Sequence, residues 1–144
     1  MAPPTDDGER PAPIDRPILD FLQTRLQATR QVSRATLTDA SGHLALQVGF
    51  APSYYPATVE ATQLTVRWYT NDDFTIHYRE DHAGRAWECR WDRHPNPHNT
   101  RDHLHPPPAA PTPGEDASWP ADHRDVVALV LDEVEARIAA LWRE

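Results

Sequence analysis

The sequence predicts an α+β fold: a single antiparallel β-meander sheet of four to five strands, with N-terminal and C-terminal helices packed on its apolar face. Three observations point to it. Apolar and polar residues alternate through the middle of the chain, the habit of a sheet buried on one side only. The connections between the alternating segments are short, which favours neighbouring antiparallel strands. Both ends of the domain carry apolar residues at helical spacing, and two amphipathic helices need the apolar side of the sheet for burial.

The elements follow in order. Residues 1–13 hold too little apolar surface to offset ordering and are expected to form a disordered tail. Residues 14–144 form one domain, since a chain of 144 residues supports one core but not two. Asp15 caps a first helix over about 15–29, with Pro17 in its first turn. Ile18, Leu19, Leu22 and Leu26 make its apolar stripe. A strand over 31–38 leads into a hairpin turn at Asp39-Ala-Ser-Gly42. Leu44, Leu46, Val48 and Phe50 then alternate with polar or small residues, and a Pro/Tyr-rich connection runs from Pro52 to Pro56. Leu64, Val66 and Trp68 form the next alternation, Asn71-Asp72 turns the chain, and Phe74, Ile76 and Tyr78 form the one after it. A turn at Asp81 to Gly84 precedes Trp87, Cys89 and Trp91. Residues 93–118 read as a His/Pro-rich loop. The last helix is capped by Ser118 or Asp122, with Pro120 in its first turn and a stripe of Val127, Val130, Leu131, Val134, Ile138 and Leu141.

Composition narrows the function classes. The formal charge of −8 argues against nucleic-acid binding through net charge, although a local arginine patch can still hold RNA. All 14 basic residues are arginine, a bias of high-GC coding or of life at high salt, which suggests an archaeal or high-GC bacterial source. Cys89 is the only cysteine, so no intramolecular disulfide forms. It alternates with Trp87 and Trp91 on the apolar side and reads as a small buried hydrophobe. Signal-peptide and membrane-span patterns are lacking, and the expectation is a soluble cytoplasmic protein. The motifs of nucleotide-dependent, dinucleotide-dependent and serine-hydrolase chemistry are lacking too.

Four of the eight histidines crowd into one stretch: His94, His98, His103 and His105. Imidazole is both the proton carrier of neutral pH and the commonest metal ligand. Three readings of the stretch stand side by side. In the first, these side chains do acid–base work beside Arg90 and Asp92, and no cofactor is expected. In the second, His94, His98, His103 and His105 bind zinc or another divalent transition metal, although they lack the spacing of a helical or paired-cysteine site. In the third, they belong to a proline-stiffened surface loop. His103 and His105 lie two apart on an extended segment and so point the same way.

Strand parity places more chemistry on the polar side of the sheet. Pairing the apolar sets puts Trp68 beside Phe74, Val66 beside Ile76, Tyr78 beside Trp87 and Ile76 beside Cys89. His77 then neighbours Thr65 and Glu88, with Arg67, Thr75 and Arg90 in the next row. An imidazole among Arg67, Arg79 and Arg90 suits cleavage of an RNA backbone, in which a base activates the 2′-hydroxyl and guanidiniums stabilise phosphorane charge. The same residues also suit an ordinary solvated face with weak cross-strand ion pairs. The candidate catalytic set is His77, Arg90, Asp92, His98, His103 and His105, with Arg67, Arg79 and Arg101 for substrate. This reading requires His98, His103 and Arg90 to converge.

The hairpin Ile76-His-Tyr-Arg…Trp87-Glu-Cys-Arg-Trp-Asp92, followed by Arg93-His-Pro-Asn-Pro-His98…His103-Leu-His105, resembles the TumE family of prokaryotic toxin–antitoxin systems. The resemblance covers about a third of the chain. It implies a small toxin, a nuclease acting on RNA, with a cognate antitoxin as partner. It also implies that Asp92, His98, His103 and His105 occupy the family's polar motif. The proline-rich N-terminus, the stretch from Pro106 to Trp119 and the long last helix depart from that pattern. The competing class is a non-catalytic interaction domain that uses the sheet edge or Tyr54, Tyr55 and Trp119. Substrate and oligomeric state do not follow from the sequence.

Overall fold

The computed structural model describes residues 12–40 and 43–144. In order, the elements are α1 (Arg16–Gln27), β1 (Val32–Ala40), β2 (His43–Phe50), a 3-10 turn (Pro52–Tyr54), β3 (Ala61–Trp68), β4 (Phe74–His82), β5 (Arg85–Arg93), β6 (Asp102–His105), β7 (Glu115–Asp116) and α2 (His123–Trp142). The expected tail lies outside the described residues as far as residue 11, as do Ser41 and Gly42 of the expected hairpin turn. At Pro13 the chain is already tied to the sheet: its carbonyl accepts the Thr70 N–H at 2.8 Å.

The strands form one antiparallel sheet in the order β1 to β7, a pure meander. It has seven strands rather than four to five, because the stretch read as a loop over 93–118 contributes β6 and β7. Both are short, and β6 is Asp-His-Leu-His. Three polar residues in four give no apolar alternation, so the usual strand signal is absent there.

The β3–β4 register is the expected one, with Trp68 opposite Phe74 and Val66 opposite Ile76. The β4–β5 register differs by two residues: Tyr78 pairs with Cys89 and Ile76 with Trp91. The cause is the turn. Ala83 and Gly84 make a two-residue hairpin loop, with φ of 47° and 86°, and His82 pairs with Arg85. Loops of this type favour φ > 0 at both positions, which glycine adopts without strain. A slip of two preserves which face each side chain takes, so the apolar set stays together.

That set is the core. Leu19, Leu22 and Leu26 of α1 and Val126, Val127, Val130, Val134, Ile138 and Leu141 of α2 pack with Leu46, Val48, Leu64, Val66, Trp68, Phe74, Ile76, Tyr78, Cys89 and Trp91. Val126 belongs to the buried stripe that the sequence reading left it out of, and Leu131 is only partly buried. Asp15 caps α1 by accepting the Ile18 N–H, and Asp122 rather than Ser118 caps α2. Pro120 therefore precedes α2, and its carbonyl accepts Arg93 Nη2 at 2.8 Å.

A buried carboxylate sits in the apolar layer. Glu80 on β4 is fully buried, yet it receives Arg137 of α2 through three contacts of 2.9–3.2 Å, the Tyr78 hydroxyl at 2.7 Å and His82 Nε2 at 2.8 Å. The Arg137 guanidinium lies 4.0 Å over the Trp87 ring. Among the described residues, no helix is long and apolar enough to cross a membrane.

Candidate functional site

The site lies on the face of the sheet away from the helices, where two side-chain rows cross the strands. One row runs Thr65, His77, Arg90, His105. The next runs Arg67, Thr75, Asp92, His103, Asp116. The two-residue shift in β4–β5 is what brings Asp92 rather than Arg90 into the row of Arg67 and Thr75. The same pairing leaves His77 diagonal to Glu88, with Nε2 2.9 Å from Glu88 Oε1.

The rows differ in exposure. His77 is about a third exposed, with a side-chain value of 34%. Arg79 reaches Asp81 at 3.0 Å and Glu88 at 3.6 Å on the open part of the face. Towards β6 the face closes: Asp92, His103 and His105 are each at most 2% exposed. Two crossing segments cover them. The segment after β6 lies along β5, where the Pro108 carbonyl accepts the Glu88 N–H at 2.7 Å. The loop between β5 and β6 is folded around Asn96, whose Oδ1 accepts the N–H groups of His98 and Asn99. Asn99 then ties the two segments together through both Gly114 backbone groups, at 3.0 and 3.1 Å.

Asp92 is the hub of the closed part. Its Oδ2 lies 3.3 Å from His94 Nε2, 3.5 Å from His103 Nε2, 3.2 Å from His105 Nε2 and 3.0 Å from Arg90 Nε. Arg90 Nη2 also reaches His105 Nε2 at 2.9 Å. Burial alone would push the Asp92 carboxyl pKa up. The imidazoles of His103, His105 and His94 and the Arg90 guanidinium outweigh burial and hold it well below the usual carboxylate range.

The other imidazole nitrogens face backbone carbonyls. His105 Nδ1 lies 2.8 Å from the Pro111 oxygen. His103 Nδ1 lies 3.1 Å from both the Thr100 and Arg101 oxygens. His94 Nδ1 lies 3.0 Å from the oxygen of Pro95. A carbonyl only accepts, so His105 Nδ1 carries a hydrogen and its Nε2 lone pair faces Arg90 Nη2. His103 Nδ1 also has the Asn96 amide nitrogen at 3.3 Å and its Nε2 faces the Asp92 carboxylate, contacts that either tautomer satisfies.

The remaining predicted residues take other places. His98 is exposed on the β5–β6 loop, so Arg90 and His103 meet at Asp92 without it. Arg101 leaves the face altogether, binding Asp73 Oδ1 at 2.6 Å and the Asn71 carbonyl at 3.1 Å at the β3–β4 turn. Cys89 is buried on the apolar side, where burial pushes its thiol up to about 12. Tyr55 is buried against Tyr78, hydroxyl to hydroxyl at 2.8 Å, and the half-buried Trp119 indole donates to the Asp92 carbonyl at 3.0 Å. Of the supporting residues Asn96, Asn99, Pro111 and Gly114, only the turn at Asn96 was legible in the sequence. The Asn-Pro pair inside a histidine cluster is the one local sign of a built turn.

The family model of Toxin TumE matches residues 14–138. The chain belongs to the TumE toxin family. Searches of curated proteins and of solved structures found no match. The TumE match takes in β1 to β7 and most of α2. The stretch from Pro106 to Trp119 and most of the last helix, which the motif comparison had set apart, thus lie inside the TumE span.

Proposed function

We propose that this TumE-family toxin cleaves RNA on the open part of the sheet face, with His77 as the proton-transfer group. The observation that carries this reading is the unbroken row Thr65, His77, Arg90, His105 flanked by Arg67 and Arg79. Glu88 orients the His77 ring, as a carboxylate orients a catalytic imidazole. Arg67, Arg79 and Arg90 supply the guanidiniums that stabilise charge on a pentacovalent phosphate. His77 is open enough for a backbone to reach, whereas His103 and His105 are sealed. The buried Asp92 group positions Arg90 by a hydrogen bond to its Nε. Membership of a toxin family further suggests a cognate antitoxin that covers this face.

The test uses the purified full chain and a single-stranded RNA. Expression of the wild type is expected to arrest growth, and the protein to cleave the RNA. His77→Ala is expected to lower the cleavage rate by about 10²–10⁴-fold with the fold intact by circular dichroism. Wild-type cleavage and growth arrest in His77→Ala would rule the reading out.

A further inference from the structure

We propose that Asp92, His103 and His105 form a binding site for one divalent transition-metal ion of the zinc class. The inference stands apart from the RNA-cleavage reading, which needs no ion. It starts from a convergence of ligand-type atoms. The Nδ1 atoms of both histidines face backbone carbonyls. Their Nε2 atoms converge on one oxygen of the Asp92 carboxylate, with the His94 Nε2 beside them. With hydrogen on Nδ1, as metal ligation requires, these three acceptor atoms would repel one another in a buried place unless a cation lay among them. Arg90 supplies one such charge, from the side of His105.

The spacing fits an ion. Metal–nitrogen and metal–oxygen bonds of about 2.0–2.2 Å, opened to tetrahedral angles, put neighbouring ligand atoms about 3.3–3.5 Å apart. The two Nε2 atoms lie 3.5 and 3.2 Å from Asp92 Oδ2. One ligand atom from each of the three residues lies within 4.8 Å of the others. The outer contacts also follow the habit of metal sites, in which a ligating histidine gives its second N–H to a backbone carbonyl. Two imidazoles and one carboxylate, with no sulfur, suit zinc or a similar divalent transition ion with a position left open. His94 stands on the solvent side, with 23% of its side chain exposed. Arg90 is one-third exposed and has room to withdraw from His105 as the ion enters.

The experiment strips the purified full chain with a chelator, then titrates it with zinc chloride and, separately, cobalt chloride. One ion per chain, a visible cobalt spectrum of nitrogen and oxygen ligation, and a rise in unfolding temperature with zinc are expected. Affinity is expected to fall by more than about 100-fold in His105→Ala and Asp92→Asn, and to stay unchanged in His98→Ala. If a variant fails to fold, the cobalt spectrum and stoichiometry of the wild type decide the matter alone. Binding of less than about 0.1 equivalent by folded wild type at micromolar zinc overturns the proposal, as does unchanged affinity in a folded His105→Ala. RNA cleavage assayed on the stripped sample separates the two readings: cleavage without metal binding removes this site and leaves His77 standing.

Discussion

Asp92 adds stability only while it is ionised. Its carboxyl pKa is lowered in the folded chain, so the unfolded chain binds its proton first as the pH falls. The contribution is whole above the unfolded value of about 3.9 and is lost as the pH drops from there toward the folded value. Asp102, held low by Arg93 and the Trp119 N–H against the cost of burial, acts in the same direction. Urea unfolding from pH 7 down to pH 2.5 is expected to show a steep loss of stability below about pH 4. In Asp92→Asn that slope should be shallower, although the variant is less stable at neutral pH. An unchanged slope would place the acid sensitivity elsewhere. Gly114 makes a second point at this scale. A Cβ there would run into the Leu104 carbonyl, and backbone cannot swing aside. Gly114→Ala is therefore expected to cost about 1–3 kcal/mol and to speed amide exchange at β6. Wild-type stability and exchange would show that the segment after β6 is looser than its contacts imply.

Among elements, the junction of α2 with β4 rests on a buried ion pair. Arg137 holds Glu80 where that carboxylate has no access to water. Arg137→Ala would leave a buried charge with only Tyr78 and His82 as partners, and chemical denaturation should show a loss of about 3–5 kcal/mol. Replacing both residues with methionine removes the uncompensated charge, and the double variant is expected to recover most of that loss. Equal damage in single and double variants would show that packing on Trp87, not charge, is what Arg137 supplies. The β5–β6–β7 segment shows why elements differ in legibility. The apolar alternation of β2 to β5 is driven by one-sided burial and can be read along the chain. β6 is a strand because β5 offers it an edge and because the crossing segments bury its histidines from the other side.

For the whole molecule, the proposed RNA binding by a chain of net charge −8 requires basic groups gathered on one surface. The meander places Arg67, Arg79 and Arg90 on one face while α2 carries acidic residues on the other side of the sheet. Binding of a short single-stranded RNA is expected to weaken with salt. Arg67→Ala and Arg79→Ala should each reduce the slope of log affinity against log salt by about 1. A salt-independent affinity would exclude this face as the site of phosphate contact.

Period and parity are local properties, and they made much of this protein legible. The two helices, the strands β1 to β5, the Asp15 cap, the buried place of Cys89 and the common face of His77, Arg67, Arg79 and Arg90 follow from side-chain alternation and helical spacing. Those patterns record which side of an element is dry, and no partner has to be known to read them. The TumE resemblance was legible as well, because a hairpin and its histidine motif lie together in the chain. Long-range pairing decided the rest. Which of four histidines meet Asp92 depends on the register of β5 with β6, a strand with no apolar signature, and on carbonyls of Thr100, Arg101 and Pro111 that face the rings. Residue spacing carries none of that information, since it is the pairing of distant backbone that turns His103 and His105 inward and leaves His98 in water.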